Sequence, residues 1–310
     1  MNEVLIVGSI ALDSLKTPFG EKDDVLGGSV SYASIASSLF CNVNIVGVVG
    51  QDFPSEYVNL LVSRGINIEG LECRQGNTFK WKGYYEYDMN QAHTLETQLN
   101  VFADFNPVLP PKYVDSKFVF LANIHPSLQL NVLNQAKNPA FTMLDTMNLW
   151  ISNTKSELIE VIKRVNLVLL NEGEARQLCG TPNLIAAANQ VLSMGPDYVI
   201  IKKGEHGALL FDKSGDIFSS PAYPLEIIKD PTGAGDTFAG GFIGYLAQAG
   251  EINSCNLRKA VIIGSALASF TAEEFSLDRL KSVTYDDLCK RYSEFERIAA
   301  FESLELAKTV

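Results

Sequence analysis

The chain of 310 residues has no run of basic residues, and its 36 Asp and Glu outnumber its 25 Lys and Arg, giving a net charge of −11. Binding to a nucleic-acid backbone requires many cations that neutralise phosphates, so this charge balance argues against a nucleic-acid partner. A small phosphorylated ligand is still compatible with it, because a few backbone N–H groups and one lysine can bind a single phosphate.

Long apolar runs and paired cysteines are also missing. No apolar stretch approaches the roughly 20 residues that cross a bilayer. The N-terminal MNEVLIVGS, with an acid at Glu3, indicates a first strand and not a signal peptide. Five cysteines, none in a CxxC pair, favour a reducing compartment over a disulfide framework or a zinc site. We therefore expect a cytoplasmic protein without membrane contact.

Two common phosphate-binding loops are absent from the sequence. There is no GxxxxGK[ST] segment, which excludes a P-loop protein. In GAGDTFAGG, Phe238 stands where the dinucleotide fingerprint GxGxxG requires its third glycine. Any phosphate site must therefore be built in another way.

Short apolar runs alternate with helical patterns along the chain. The clearest runs are EVLIVGS, VNIVGVVG, KFVFLAN, AFTMLD, LVLLN and YVIIKKG. Continuous apolar strands of this kind are typical of a parallel sheet that helices cover on both faces. The pattern predicts one α/β domain over residues 1–310, with a mostly parallel central sheet flanked by helices.

One segment departs from this pattern and predicts a small β lid. In NTFKWKGYYEYDM, Phe79, Trp81, Tyr85 and Tyr87 alternate with polar residues, which indicates half-exposed antiparallel strands. We expect lid segments at about residues 13–26 and 74–103, inserted into the main domain. The alternative is an edge hairpin without function. An exposed lid sheet can also pair with its twin, which would give a homodimer.

The segment DPTGAGDTFAGG, Asp230 to Gly241, carries the strongest chemical signal. The preceding LEIIKD predicts a strand, and the apolar spacing after Thr237 predicts a helix. The small residues Gly233, Ala234 and Gly235 then fall at the N-terminus of that helix. Free N–H groups and the helix dipole make such a position an anion site.

Asp236 directly follows this predicted anion site. An acid in a first helical turn is often only a stabilising cap, and spacing alone favours that interpretation. A carboxylate beside a phosphate is costly unless it has a task, such as accepting the proton of a hydroxyl that attacks the phosphate. The helix dipole is expected to keep the group ionised.

At this point the sequence resembles the ribokinase-like (PfkB) family of carbohydrate and nucleoside kinases. The resemblance covers essentially the whole chain. It rests on DPTGAGDTFAGGFI, on the diglycine Gly27-Gly28 before a small-residue helix, on NEGE at residues 171–174 and on KKGEHGALL. What it implies is a ribokinase-like fold and a kinase that transfers phosphate from ATP to a hydroxymethyl group, with Mg²⁺ as cofactor.

The resemblance also implies roles for individual residues. Asp236 would be the general base, and Gly233, Ala234 and Gly235 would form the anion hole. Substrate contacts would come from Asp13, Gly27, Gly28, Tyr32 and Asn123. ATP contacts would come from Asn171, Lys202, Gly204, Thr232 and Gly235. Glu174 and Asn171 would organise Mg²⁺ through water. The resemblance leaves open a monovalent cation near Asp230.

Several alternatives stay open. Many members of the family have an asparagine where Tyr32 aligns, which puts the substrate in doubt, since a tyrosine narrows the pocket or stacks on a sugar or base. Asn171 and Glu174 also fit a helix-capping pair, and Asp13 fits a turn. A sugar kinase is the first hypothesis. A nucleoside kinase of the same fold and a non-catalytic regulatory binding module are the alternatives.

Overall fold

The structure, a computed structural model, describes residues 2–302 of the chain. Its strands are β1 (Glu3–Val7), β2 (Ala11–Thr17), β3 (Gly20–Gly27), β4 (Asn42–Gly50), β5 (Ile66–Arg74), β6 (Phe79–Tyr85), β7 (Ala92–Gln98), β8 (Phe118–Leu121), β9 (Phe141–Leu144), β10 (Leu167–Asn171), β11 (Tyr198–Lys202), β12 (Ala208–Asp212) and β13 (Ile217–Ser220). Its helices are α1 (Ser29–Ser37), α2 (Ser55–Ser63), α3 (Pro126–Gln135), α4 (Asn148–Asn153), α5 (Lys155–Ile162), α6 (Glu172–Cys179), α7 (Leu184–Met194), α8 (Ala234–Ala249), α9 (Ser254–Ala272) and α10 (Tyr285–Ala299).

The main sheet has nine strands in the order β13-β12-β11-β10-β9-β8-β1-β4-β5. Neighbours from β11 to β5 are parallel, and β12 and β13 add an antiparallel edge. The central strands are buried on both faces, which is why residues 4–7 and 167–170 are apolar without a break. The predicted α/β fold with a mostly parallel sheet is confirmed.

A second, smaller sheet has the order β3-β2-β6-β7. Its strands cover residues 11–27 and 79–98, close to the two segments in which the sequence predicts a lid. The outer strands β3 and β7 are largely exposed, while β2 in the middle is largely buried. The small β lid of the predicted fold is therefore present, and it holds Asp13 in one of its central strands.

The prediction of a strand at LEIIKD is wrong, because residues 225–230 form no strand. Their backbone groups bond to loops and to the lid instead of to a sheet neighbour. The Lys229 N–H donates to the Ala272 carbonyl at 2.9 Å, and the Lys229 carbonyl accepts from the Thr17 hydroxyl at 2.8 Å. The segment thus connects the lid to the end of α9, which a local apolar pattern does not show.

The helix predicted after this segment is confirmed as α8. Gly240 allows α8 to pack tightly on α1, because a Cβ atom there would overlap the backbone of Ala33. The Ser37 hydroxyl of α1 also donates to the Gly240 carbonyl at 2.7 Å. These contacts fix the position of the α8 N-terminus. Between residues 2 and 302, no helix is long and apolar enough to cross a membrane.

Candidate active site

The start of α8 has the geometry of an anion site. Gly233 precedes the helix with a φ of 74°, a left-handed value that glycine adopts without strain. A Cβ atom at Gly233 would also overlap the ring of Tyr32, so this position has no room for a side chain. No side chain caps the helix. The Ala234 N–H donates to the Pro231 carbonyl at 3.1 Å, whereas the N–H groups of Gly235 and Asp236 have no acceptor within residues 2–302 and are available to a bound anion.

Asp236 lies half-buried in the first turn of α8. No hydrogen bond joins its carboxylate to the backbone at the start of the helix, so Asp236 does not form a hydrogen-bonded cap. Burial and repulsion from Asp145 raise the pKa of Asp236 to about 7, although Lys202 acts in the opposite direction. Burial and the neighbouring acid thus outweigh the effect of the helix dipole on the ionised form of Asp236.

Lys202, at the end of β11, forms the cationic part of the site. Its Nζ lies 3.3 Å and 3.4 Å from the carboxylate oxygens of Asp145, at the end of β9. It also borders the anion site, because a Cβ atom on Gly235 would lie 3.1 Å from Nζ. Burial lowers the pKa of Lys202, but attraction from Asp145, Glu174 and Asp236 outweighs it and leaves that pKa above its usual value.

Asn171 and Glu174 form a complete capping box at the start of α6. The Glu174 N–H donates to the Asn171 side chain at 2.8 Å, and the Asn171 N–H donates to the Glu174 carboxylate at 2.7 Å. The capping alternative is therefore correct for these atoms. Glu174 is also buried near Asp145 and Lys202, and burial raises its pKa. Glu174 thus caps the helix and also interacts electrostatically with Asp145 and Lys202.

Asp13 belongs to strand β2 of the lid and not to a turn. It packs directly against Gly27, where a Cβ atom would overlap its carboxylate. Gly28 has a φ of 87° and lies against the backbone at Ser9, so neither glycine of the pair admits a side chain. Burial and repulsion from Asp230 and Asp236 raise the pKa of Asp13 to about 8.

Tyr32 does not present its ring to the cleft. It is 1% exposed, and the ring lies against Gly233 beneath the anion loop. Stacking of a sugar or base on Tyr32 is therefore excluded in this conformation. The hydroxyl is buried without a hydrogen-bond partner among the described residues. The nearby Ser276 hydroxyl donates instead to the Leu26 carbonyl at 2.6 Å.

The remaining predicted residues lie at three places around the cleft. The Asn123 amide oxygen accepts a hydrogen bond from the Trp150 indole at 2.9 Å, which leaves its NH₂ group and one oxygen lone pair for a ligand. Gly204, with a φ of 53°, opens the turn between β11 and β12. The Thr232 N–H donates to the Asp230 carboxylate at 2.9 Å, which shapes the loop before α8.

Two residues near the site were noted from the sequence, but their partners were not predicted. Asp145 follows a predicted strand, but its pairing with Lys202 joins positions 57 residues apart, and no local signal shows it. Tyr85, in the lid, accepts a hydrogen bond from the Thr232 hydroxyl at 3.2 Å. Its place in an alternating aromatic segment indicated a strand, but that segment does not indicate that Tyr85 contacts Thr232.

The raised pKa of Asp13 predicts that stability falls as the pH rises. A carboxyl whose pKa is higher in the folded than in the unfolded state favours folding at low pH and loses that contribution as the pH rises through the folded pKa. With values of 3.8 and about 8, this window spans roughly pH 4 to 8. Asp13→Asn should gain stability over the wild type by up to about 1.4 kcal/mol per pH unit across it.

Urea unfolding of the ligand-free protein at pH 5, 6, 7 and 8 measures this effect. Asp23→Asn, on the exposed strand β3 of the same lid, is the matched control and should follow the wild-type curve at a constant offset. A constant offset for Asp13→Asn as well would show that Asp13 is ionised in the folded protein throughout this range.

An α/β sheet with a lid, an open helix N-terminus and acids around one lysine is the architecture of a ribokinase-like phosphotransferase. The model of the pfkB family of carbohydrate kinases matches residues 19–281. The chain belongs to this family.

Relatives from both sequence and structure comparisons agree with this assignment. The chain is 30% identical to a cytidine kinase from Thermococcus kodakarensis over 82% of its own length and 92% of the relative. It is 26% identical to a nucleoside kinase from Methanocaldococcus jannaschii, over 88% and 91% of the two chains. A putative ribokinase II from E. coli, solved with ATP and Mg²⁺, superposes with a TM-score of 0.77 at 18% identity, over 96% and 100%. This last likeness shows the fold.

Proposed function

We propose that the protein transfers the γ-phosphoryl group of ATP to a hydroxymethyl group of a small acceptor, with Asp236 as the general base. The supporting observation is the half-buried Asp236 carboxylate, which makes no capping bond and follows an uncapped helix N-terminus directly. A pKa of about 7 suits a group that takes up a proton at neutral pH. A cap for α8 would need a hydrogen bond that the carboxylate does not make.

In the proposed reaction, the acceptor oxygen forms a bond to the γ-phosphorus while the bond to the β–γ bridging oxygen breaks. The acceptor proton moves to Asp236, and ADP leaves with the bridging oxygen. Negative charge on the transferred group meets the N–H groups of Gly233 and Gly235 and the Lys202 ammonium beside Gly235, while the Ala234 N–H is bonded to the Pro231 carbonyl. Such fixed donors act mainly by stabilising the charge of the transition state.

The residues present fit both ATP and Mg²⁺. The uncapped N-terminus of α8 and the Lys202 ammonium beside it suit phosphate oxygens. Within residues 2–302, no three His, Cys, Asp or Glu side chains converge on one metal position. Mg²⁺ usually keeps several waters and binds through one or two carboxylates together with substrate phosphates. Glu174 and Asn171 would hold it in this way, and the ion would neutralise phosphate charge.

For the acceptor, we propose a nucleoside, with Asp13 and the neighbouring diglycine binding its sugar hydroxyls. The similarity to cytidine and nucleoside kinases supports this choice. A free sugar or polyol is the second candidate. It is favoured by the burial of Tyr32 and by Phe79, which stacks on Phe102 at 5.2 Å. Neither ring is free to stack on a base.

A panel of nucleosides, pentoses, hexoses and inositols tests the proposal by ADP release from Mg-ATP. Product mass spectrometry identifies the phosphorylated compound. We expect turnover with at least one nucleoside, and with cytidine first. If sugars or inositols are phosphorylated and no nucleoside is, the acceptor is a free sugar or polyol and not a nucleoside. ATP binding without turnover of any acceptor would favour the regulatory module.

A further inference from the structure

Tyr85 is the last residue of β6, at the end of a lid strand that points toward the anion loop. Its ring is half-buried, and its hydroxyl oxygen accepts a hydrogen bond from the Thr232 hydroxyl at 3.2 Å. The bond joins the lid to the segment directly before Gly233, across 147 positions of the chain. The lid therefore brings one polar group into contact with the loop that forms the proposed phosphate site.

The hydroxyl of Tyr85 still has a proton to donate. Thr232 uses one lone pair of the oxygen, and no described residue is recorded as accepting the Tyr85 O–H. Burial raises the pKa of Tyr85 to about 12, and the carboxylates of Asp230, Asp13 and Asp236 act in the same direction, so the hydroxyl stays protonated. It is a neutral donor placed close to three acids.

The chemistry of those acids creates a need for such a donor. A sugar hydroxyl has one proton to donate and two lone pairs that accept hydrogen bonds. An acceptor molecule that donates its hydroxyl protons to Asp13 and Asp236 still presents oxygen lone pairs that require donors. A polar atom that is buried without a partner loses its hydrogen bond to water and weakens binding. The Tyr85 hydroxyl is positioned to donate to one of these oxygen lone pairs.

We propose that the Tyr85 hydroxyl is a substrate contact supplied by the lid, donating to a sugar oxygen of the acceptor between Asp13 and Asp236. The hydrogen bond from Thr232 fixes the direction of that donor. This inference rests on the proposed function, because it assigns a further contact to the same acceptor. It also assigns specificity, since the contact recognises one particular oxygen.

The variant Tyr85→Phe tests the proposal, because it keeps the ring and removes only the hydroxyl. Tyr84→Phe is the matched control: it is the neighbouring tyrosine of the same strand, on the opposite face, stacked on His93 at 4.9 Å. We expect kcat/KM for the acceptor to fall about tenfold or more in Tyr85→Phe, from the cost of an unpaired buried oxygen. The KM for ATP should change little, and Tyr84→Phe should match the wild type.

Acceptor analogues that lack one hydroxyl at a time separate a contact from a structural role. The wild type should discriminate against the analogue without the oxygen that Tyr85 binds, and Tyr85→Phe should lose that discrimination. Loss of activity that is equal for all analogues would make Tyr85 a structural residue of the lid and overturn the proposal.

The result also separates this inference from the proposed function. If the wild type phosphorylates an acceptor and Tyr85→Phe does so with the same kcat/KM and the same analogue preference, only the role of Tyr85 is wrong. If the wild type phosphorylates no acceptor, the proposed function is wrong, and the substrate contact falls with it.

Discussion

Replacing Asp236 with asparagine is expected to lower turnover by about 10²–10⁴-fold, with little change in the affinity for ATP. The amide keeps the size of the side chain but cannot take up the proton of the attacking hydroxyl. The N–H groups at the start of α8 and the Lys202 ammonium remain in place, so the phosphates keep their donors. ADP release and calorimetric titration with ATP measure the two quantities.

Asp287→Asn is the matched control, because Asp287 occupies the same position in the first turn of α10 and does cap its helix. Its carboxylate accepts from the Thr284 N–H at 3.0 Å and from the Thr284 hydroxyl at 2.8 Å. That variant should lose stability, because it removes a cap, and keep wild-type turnover. If Asp236→Asn also lost stability but kept wild-type turnover, Asp236 would have a structural role and would not be the general base.

The contrast between the two acids shows what the sequence could and could not predict. Each is an acid in a first helical turn, and spacing alone favours a cap for both. The helix starts themselves are local features: small residues before α8 and Thr284 before α10 indicate them directly. Whether a carboxylate turns to its own helix depends on the packing around it, and local spacing does not show this.

The dependence on distant contacts also explains why the strand predicted at residues 225–230 is absent. Residues 225–230 are apolar enough for a strand, but their backbone partners are Thr17 and Ala272, from distant parts of the sequence. The strands of the main sheet were predictable because burial on both faces leaves a continuous apolar run.

Tyr32 and Tyr85 show that local sequence patterns do not predict contacts between distant segments within the site either. Tyr32 was noted from the sequence as a residue that could stack on a sugar or base, and Tyr85 as one of the alternating aromatic residues of the lid. In the structure one ring lies under Gly233, and the other brings its hydroxyl to Thr232. A period of two places a residue on one face of a strand, but it does not identify the loop that this face meets.

Replacing Lys202 with methionine is expected to reduce both stability and turnover. Lys202 is the buried cation beside Asp145, Glu174 and Asp236, and its pair with Asp145 has side-chain exposures of 17% and 7%. Removing one member of a buried ion pair costs about 3–5 kcal/mol, because an uncompensated charge remains. Loss of a donor to the transferred phosphoryl group lowers kcat by about 10²–10³-fold. Urea unfolding and ADP release measure these effects.

The double variant Asp145→Asn/Lys202→Met separates the two losses. Without the Asp145 carboxylate the methionine leaves a smaller uncompensated charge, so part of the lost stability should return, whereas turnover should stay low because the ammonium is still absent. Lys203→Met is the matched control, since Lys203 adjoins Lys202 and forms no ion pair within residues 2–302. If turnover recovers together with stability in the double variant, Lys202 serves only to balance the buried acids, and the phosphoryl group is stabilised by the helix N-terminus alone.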